Sequence, residues 1–201
     1  MKPDAASLPL LAVLHQRVFA DPEVRGILDA GFEELAAELR GRAEPPHAAR
    51  VIPIEVFTDG MAPELVDNVR LCRAFLLRRG SRMATPEVHR NSVQRLVSYR
   101  GRGRIYADLK RGGSMAGLDP GSGPTRRKRP DDQRGPQDLA PRAVRSPDPG
   151  DLAALPIEQC WDIVPARVWH YPEAGADADW ATVTFHSASE SEILDELWEE
   201  W

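Results

Sequence analysis

The stretch that decides the fold is Gly80–Gly103, GSRMATPEVHRNSVQRLVSYRGRG. Residues 93–99 place Val, Arg, Val and Tyr on one face and Gln, Leu and Ser on the other, which is the period-two pattern of a β-strand. Gly101 and Gly103 follow as turn residues. Glu87 and His89, two residues apart, point to the same side of an extended chain, and Gln94 begins the next strand. The stretch therefore predicts polar, ligand-type side chains that converge inside a β-barrel.

Other segments extend the strand pattern on both sides of this stretch. Val51–Phe57 and Asn68–Leu77 are rich in β-branched and aliphatic residues, and residues 155–186 continue the pattern up to Trp180–His186. Within the last block, the segment DIVPARVWHYP (162–172) puts Pro165 at the end of one strand and His170 on the next. The sequence thus predicts two blocks of strands, each with a histidine.

The first segment resembles the first motif of the cupin superfamily, whose members are small double-stranded β-helix barrels. His89 matches the second histidine of that motif, and Gly101 matches its closing glycine. Glu87 occupies the first histidine position, and Gln94 stands where a glutamate is usual. Gly80 lies one residue too far upstream to match the opening glycine.

The second segment resembles the second cupin motif through Pro165 and His170. Gln159 and Arg167 replace its two glycines, and Ala174 replaces its asparagine. The resemblance covers roughly residues 51–110 and 151–187. It implies a mainly β fold, a cupin-like jelly-roll barrel, with N-terminal helices and a short C-terminal helix added to it.

If the family geometry holds, Glu87, His89, Gln94 and His170 surround one point. Two histidines and one carboxylate are typical of non-haem Fe(II) sites with open positions, and Gln94 would be a loose fourth ligand or a hydrogen-bond partner. The resemblance therefore implies a divalent metal, with Fe(II) favoured and Zn(II), Mn(II) or Ni(II) also compatible, and a metal-dependent oxidoreductase of dioxygenase type that acts on a small polar metabolite. The alternative is a metal-free cupin that binds a small molecule without catalysis.

Other polar residues have a functional and a structural interpretation. Arg73 could hold a substrate carboxylate if it faces inward, and it is a solvated strand charge if it faces outward. His186, on the last strand, is a further candidate ligand, whereas His15 and His47 are expected at the surface outside the barrel. Cys72 and Cys160 are expected to be buried structural thiols.

The segments outside the barrel complete the predicted organisation. Residues 1–50 form a helical appendage, in which Asp21-Pro22 starts a new helix. Residues 51–188 form the barrel, and residues 111–150, with seven Pro and seven Gly, form a mobile insertion within it. Residues 189–201 form an acidic helix, because Ser189 and Glu192 fit a capping box and apolar residues follow at helical spacing.

Composition limits the classes that remain. The 201 residues carry a formal net charge of −5, which argues against a dedicated nucleic-acid binder, although Arg126–Arg129 (RRKR) could touch phosphate or an acidic partner. No apolar run is long enough to span a membrane, and the N-terminus does not read as a signal peptide, so a cytoplasmic location is expected. A homodimer is expected, since cupins are often dimers. The acidic tail and the basic insertion could instead dock a partner, with the barrel as scaffold.

Overall fold

The structure is a computed structural model that describes residues 2–83, 85–107, 125–128, 140–147 and 156–199. The helices are α1 (Leu8–Ala20), α2 (Pro22–Arg40), α3 (Glu55–Thr58), α4 (Pro63–Val66) and α5 (Ile157–Cys160). The strands are β1 (His47–Ile52), β2 (Leu71–Leu77), β3 (Glu87–His89), β4 (Gln94–Arg100), β5 (Arg102–Ala107), β6 (Thr125–Lys128), β7 (Ala140–Arg145), β8 (Trp161–Val164), β9 (His170–Ala174), β10 (Trp180–His186) and β11 (Asp195–Glu199). None of the helices in these ranges has the length and apolar character needed to cross a membrane.

The strands form two sheets that face each other. The first has the order β1-β2-β10-β4-β8, and the second has the order β6-β11-β3-β9-β5-β7. Every pair is antiparallel except β11 with β6. From β2 to β5, and again from β8 to β11, each successive strand lies in the opposite sheet. This alternation is that of a jelly-roll barrel, so the predicted mainly β fold is confirmed.

The central strands of the first sheet, β2, β10 and β4, are largely buried on both faces. On β10, Ala181, Val183 and Phe185 pack against the apolar faces of α1 and α2, while Thr182 and Thr184 alternate with them and face the interior of the barrel. The two predicted N-terminal helices are confirmed, and Asp21 caps α2 by accepting hydrogen bonds from two backbone amides of its first turn. The helices share one apolar core with the sheet that they cover.

The expected strand Val51–Phe57 is wrong in its second half. β1 ends at Ile52, and α3 begins at Glu55, with Pro53 between them. Proline has no backbone N–H for a strand ladder, which favours the end of β1 at this point. Phe57 is instead fully buried in the core beneath α1, with its ring edge against Phe185.

The expected acidic C-terminal helix is also wrong over the described residues. A turn at Ser189 does form, with the Ser189 hydroxyl 2.7 Å from the Glu192 carboxylate, but the chain then continues as β11. β11 pairs with β3, where backbone pairing gives its amides and carbonyls partners. Glu196 is fully buried and forms an ion pair with Arg90, a contact that a solvated helix would not provide.

The segment 111–150 is not all loop. β6 and β7 lie in it, and β7 extends the second sheet by pairing with β5 over six residues. Val144, one of the few large apolar residues of the segment, is buried there. Strand pairing thus orders a stretch whose composition predicted a loop. The expectations for residues 111–124, 129–139 and 148–150 of this segment, and for residues 200–201 of the tail, lie outside the described residues.

Two glycines allow the tight turn between β4 and β5. Gly101 has φ +79°, and a Cβ there would lie 2.7 Å from the Asp179 carbonyl oxygen. Gly103 lies against the indole of Trp180, which would overlap any Cβ at that position. The same indole donates a hydrogen bond of 2.8 Å to Ser98. These contacts fix the end of β4, the strand that carries Gln94 at its start.

Candidate metal centre

A cavity of about 160 Å3 lies between the two sheets. Its lining comes from strands of both sheets, because the jelly roll brings the inner faces of both sheets together. The polar lining residues are His47, Arg73, Glu87, His89, Gln94, His170, Thr182, Thr184 and His186. The apolar ones are Ala49, Phe75, Met83, Leu96, Ile105 and Pro172.

Glu87, His89 and His170 come together at this cavity. β3 places Glu87 and His89 on the same face, with the buried Val88 on the other, and pairing of β3 with β9 sets Glu87 opposite His170. One ligand atom from each residue lies within 4.8 Å of those of the other two. Glu87 Oε1 is 3.4 Å from His170 Nε2 and 3.9 Å from His89 Nε2. The spacing suits three ligands of one metal ion.

Neighbouring groups orient both histidine rings. His89 Nδ1 lies 2.5 Å from an oxygen of Asp195, and His170 Nδ1 lies 3.1 Å from the Val168 carbonyl oxygen. When Nδ1 donates its proton to such an acceptor, Nε2 keeps its lone pair for a metal. His170 Nε2 is buried and makes no regular hydrogen bond with the described residues. The donor set therefore fits a divalent cation.

The electrostatics of the cluster also favour a cation. Burial alone would raise the pKa of Glu87, but the contact with His170 and the charges of His89, His170 and Arg73 outweigh burial and lower it to about 2. Burial alone would lower the pKa of His89, but the Asp195 hydrogen bond and the two nearby carboxylates raise it. The Glu87 carboxylate is thus ionised at neutral pH and can serve as the anionic ligand of a cation.

Gln94 and Arg73 also face the cavity. The Gln94 side-chain oxygen lies 3.2 Å from His89 Nε2, which places it beside the cluster. Whether it is a metal ligand stays a prediction. Arg73 faces inward, so the interpretation as a solvated outward charge is wrong. The Arg73 side chain is 26% exposed, and its Nη1 lies 3.7 Å from Oδ2 of Asp195.

Sequence reasoning missed two polar groups at or beside the cavity, Asp195 and His47, and gave a third, His186, less weight. Asp195 lies in the tail, whose helical spacing hid its role. His47 lines the cavity and stacks on Phe75, although it was expected outside the barrel. His186 lies edge-on to His89, and burial together with neighbouring positive charges lowers its pKa well below its usual value. The inward face of β10 was the available signal for His186. His15, also expected at the surface, accepts a hydrogen bond from the Trp161 indole.

No family model matches the chain, and no curated protein matches it. Similar solved structures include an oxalate oxidase, with 11% identity over 76% of this chain and 56% of that chain and a TM-score of 0.43. They also include the oxalate decarboxylase of Lactobacillus farciminis in a formate complex (9% identity, 77% and 32% of the two chains, TM-score 0.43) and a vicilin of hazelnut, Corylus avellana (9%, 75% and 31%, TM-score 0.42).

The chain spans about half the length of that oxidase and about a third of the other two chains. Similarity at this level carries no argument about activity or ligands. The strand order described above is that of a jelly-roll barrel, and it places His89 and His170, which match the two cupin motifs, inside that barrel.

Proposed function

We propose that this chain is a small cupin metalloenzyme in which Glu87, His89 and His170 bind one divalent metal ion. The observation that carries the proposal is the convergence of these three ligand atoms within 4.8 Å of one another, at a cavity wall. The hydrogen bonds that hold both Nδ1 atoms support it, because they orient Nε2 toward the ligand position.

A mononuclear site with two histidines and one carboxylate favours oxidative chemistry. Three protein ligands leave coordination positions open, and in such a site Fe(II) binds O2 or a chelating substrate. Glu87 would supply a negatively charged ligand, while His89 and His170 would supply nitrogen donors. We therefore propose dioxygenase-type oxidation of a small polar metabolite, with Fe(II) as the favoured metal and Zn(II), Mn(II) or Ni(II) as alternatives.

Metal analysis tests this proposal directly. The wild-type protein, purified without added metal and then loaded anaerobically with Fe(II) or Zn(II), should retain about one equivalent after desalting. His89→Ala and His170→Ala should retain almost none. His47→Ala is the matched control, because it removes another histidine of the same cavity that lies outside the three-residue cluster. Metal contents that are equal in all four proteins, or no uptake by the wild type, would reject the site.

A metal-free, non-catalytic cupin is the second candidate. Glu87 at the first histidine position and Gln94 in place of the usual glutamate favour it. If the wild type takes up no metal while Glu87→His with Gln94→Glu gains it, the natural chain is a binding protein that uses the barrel without the ion. If the wild type already binds one equivalent, this candidate fails.

The oxidative assignment has its own test. The Fe(II)-loaded wild type should consume O2 faster when small polar metabolites are supplied than in buffer alone. Glu87→Gln keeps the side-chain shape but removes the charge, and it should consume O2 at the buffer rate. Metal binding without any substrate-dependent O2 uptake would leave a non-oxidative reaction, such as isomerisation, as the function of the site.

A further inference from the structure

Arg73 is a cation inside the barrel that the metal cluster does not use. It lies on β2, and its backbone is fixed by pairing with Thr184 on β10, whose hydroxyl donates to the Arg73 carbonyl oxygen at 3.3 Å. Its guanidinium makes no hydrogen bond with the described residues, and its contact with Asp195 is a distant 3.7 Å. A guanidinium with free donors in a cavity is suited to bidentate recognition of a carboxylate.

The charge of the cavity agrees with an anionic ligand. Glu87 and Asp195 contribute two negative charges, whereas Arg73 and a divalent ion would contribute three positive ones, so the loaded cavity is net positive by one. Nearby, the buried His186 Nδ1 has no hydrogen-bond partner in the described part of the chain. An anionic oxygen would satisfy unpaired donors that burial otherwise penalises.

The remaining lining limits the size and the polarity of the ligand. At ~30 Å3 for each water molecule, a cavity of about 160 Å3 holds roughly five waters. Phe75 lies two residues from Arg73 on the same face of β2, which is about 6–7 Å along the strand. Met83 and Ile105 also line the cavity. A ligand whose charged end reaches Arg73 therefore finds apolar surface for a short body.

We propose that Arg73 anchors the carboxylate of a small carboxylic acid whose short apolar body packs on Phe75, Met83 and Ile105. This inference deepens the proposed function by giving the substrate class, and it rests on that function for the charge contributed by the metal. The geometry of Arg73 is independent of the ion. Binding of the acid and binding of the metal can therefore be measured separately.

The probe is isobutyrate, compared by calorimetry with isobutyramide, a neutral molecule of the same shape. The metal-loaded wild type should bind isobutyrate at least tenfold more tightly than the amide. Arg73→Gln should lower isobutyrate affinity by roughly ten- to a hundredfold, the usual effect of losing a hydrogen bond to a charged group. Arg73→Lys should retain part of the wild-type affinity for isobutyrate. Arg70→Gln is the control, because Arg70 is exposed and pairs with Glu192 outside the cavity.

Three results would overturn the subsite. The first is equal affinity for acid and amide, and the second is unchanged isobutyrate affinity in Arg73→Gln with unchanged metal content. The second means that the ion alone holds the carboxylate. The third is that none of acetate, isobutyrate and benzoate binds at 10 mM, a concentration on the order of the Kd of a very weakly bound ligand. If isobutyrate binding depends on Arg73 but the wild type takes up no metal, the subsite stands and the metal site fails. Thermal unfolding verifies that each variant is folded.

Discussion

Asp195 shows how a residue outside the metal cluster can set its geometry. Its carboxylate lies 2.5 Å from His89 Nδ1 and 3.7 Å from an Arg73 nitrogen, so it stands between the proposed ion site and the proposed anion site. In the proposed site it would be a positioning residue, since it would act on the metal through the His89 ring.

Asp195→Asn should weaken metal binding without unfolding the protein. The amide cannot stabilise the same ring orientation by charge, and loss of such an outer partner typically costs 10–100-fold in metal affinity. Competition with a chelator measures this change. Asp177→Asn is the control, because Asp177 forms an exposed ion pair with Arg102. An Asp195→Asn affinity equal to that of the control would show that the hydrogen bond does not orient the ligand.

The sequence predicts some residues of this site well and others poorly. Glu87 and His89 follow from their spacing, because residues two apart on one strand share a face, and His170 follows from its match to the second motif. Pairing of β3 with β9 then sets Glu87 opposite His170. Asp195 and His47 do not follow, since each reaches the cavity only through long-range contacts. Arg73 is intermediate: its strand could be predicted, but which face of that strand points inward depends on pairing with β10.

At the scale of elements, β11 is held by a buried ion pair. Arg90 Nε donates to Glu196 Oε2 at 3.0 Å, and the Arg90 guanidinium also lies over the Trp169 ring. Both charged side chains are almost completely buried. The helical spacing of apolar residues in the tail could not reveal this ion pair, because contacts with β3 and Arg90 override the local helical preference of the sequence.

Glu196→Gln should destabilise the fold by about 3 kcal/mol, since it leaves the buried Arg90 charge without its counter-charge. Urea unfolding gives the free energy. Glu64→Gln, at an exposed position on α4, should change stability by no more than about 0.5 kcal/mol. Similar losses in both variants would mean that the ion pair does not stabilise β11.

Two glycines provide a second contrast: Gly103 lies on β5 beside the β4–β5 turn, and Gly26 lies inside α2. Gly103→Ala should cost about 1–3 kcal/mol or more, because a methyl group would overlap the Trp180 indole. Gly26→Ala should instead gain roughly 0.5–1 kcal/mol, since Gly26 is exposed inside α2 with no atom within 4 Å of an added Cβ. Thermal melts of the two variants should therefore shift in opposite directions, and a stabilising Gly103→Ala would refute the contact.

For the whole molecule, the helices share one apolar core with the outer face of the first sheet. Leu14, Leu28 and Phe32 pack with Val97 and Val183 in one apolar cluster. The helices themselves could be predicted from their periodicity and the Asp21 cap, whereas their docking on the first sheet could not, because periodicity shows which face is apolar but not what covers it. The domain boundaries at 50 and 188 stay predictions.

Tyr99 links the two layers and predicts how stability depends on pH. Its hydroxyl donates to Asp29 on α2, and burial together with this carboxylate raises its pKa to about 12. In the unfolded chain the Tyr99 hydroxyl ionises near pH 10. Its contribution to the free energy of unfolding is therefore complete below about pH 10 and is lost as pH rises toward 12. Urea unfolding should show the wild type more stable than Tyr99→Phe by about 1 kcal/mol at pH 8. The stability difference between the two proteins should shrink by about pH 11. A difference that does not change with pH would contradict this role of Tyr99.

The two cysteines are free and buried at different places in the molecule. Burial raises the pKa of Cys72, on β2, well above its usual value and that of Cys160 to about 12. Because only an exposed thiolate reacts quickly with thiol reagents, labelling of either residue requires the chain to open locally. Cys160 lies 3.9 Å from His15 of α1, and Cys72 lies in the apolar core that the first sheet shares with α1 and α2, so labelling of either thiol reports detachment of the helical layer. The native chain thus contains two internal probes of this opening, at two places beneath the helices.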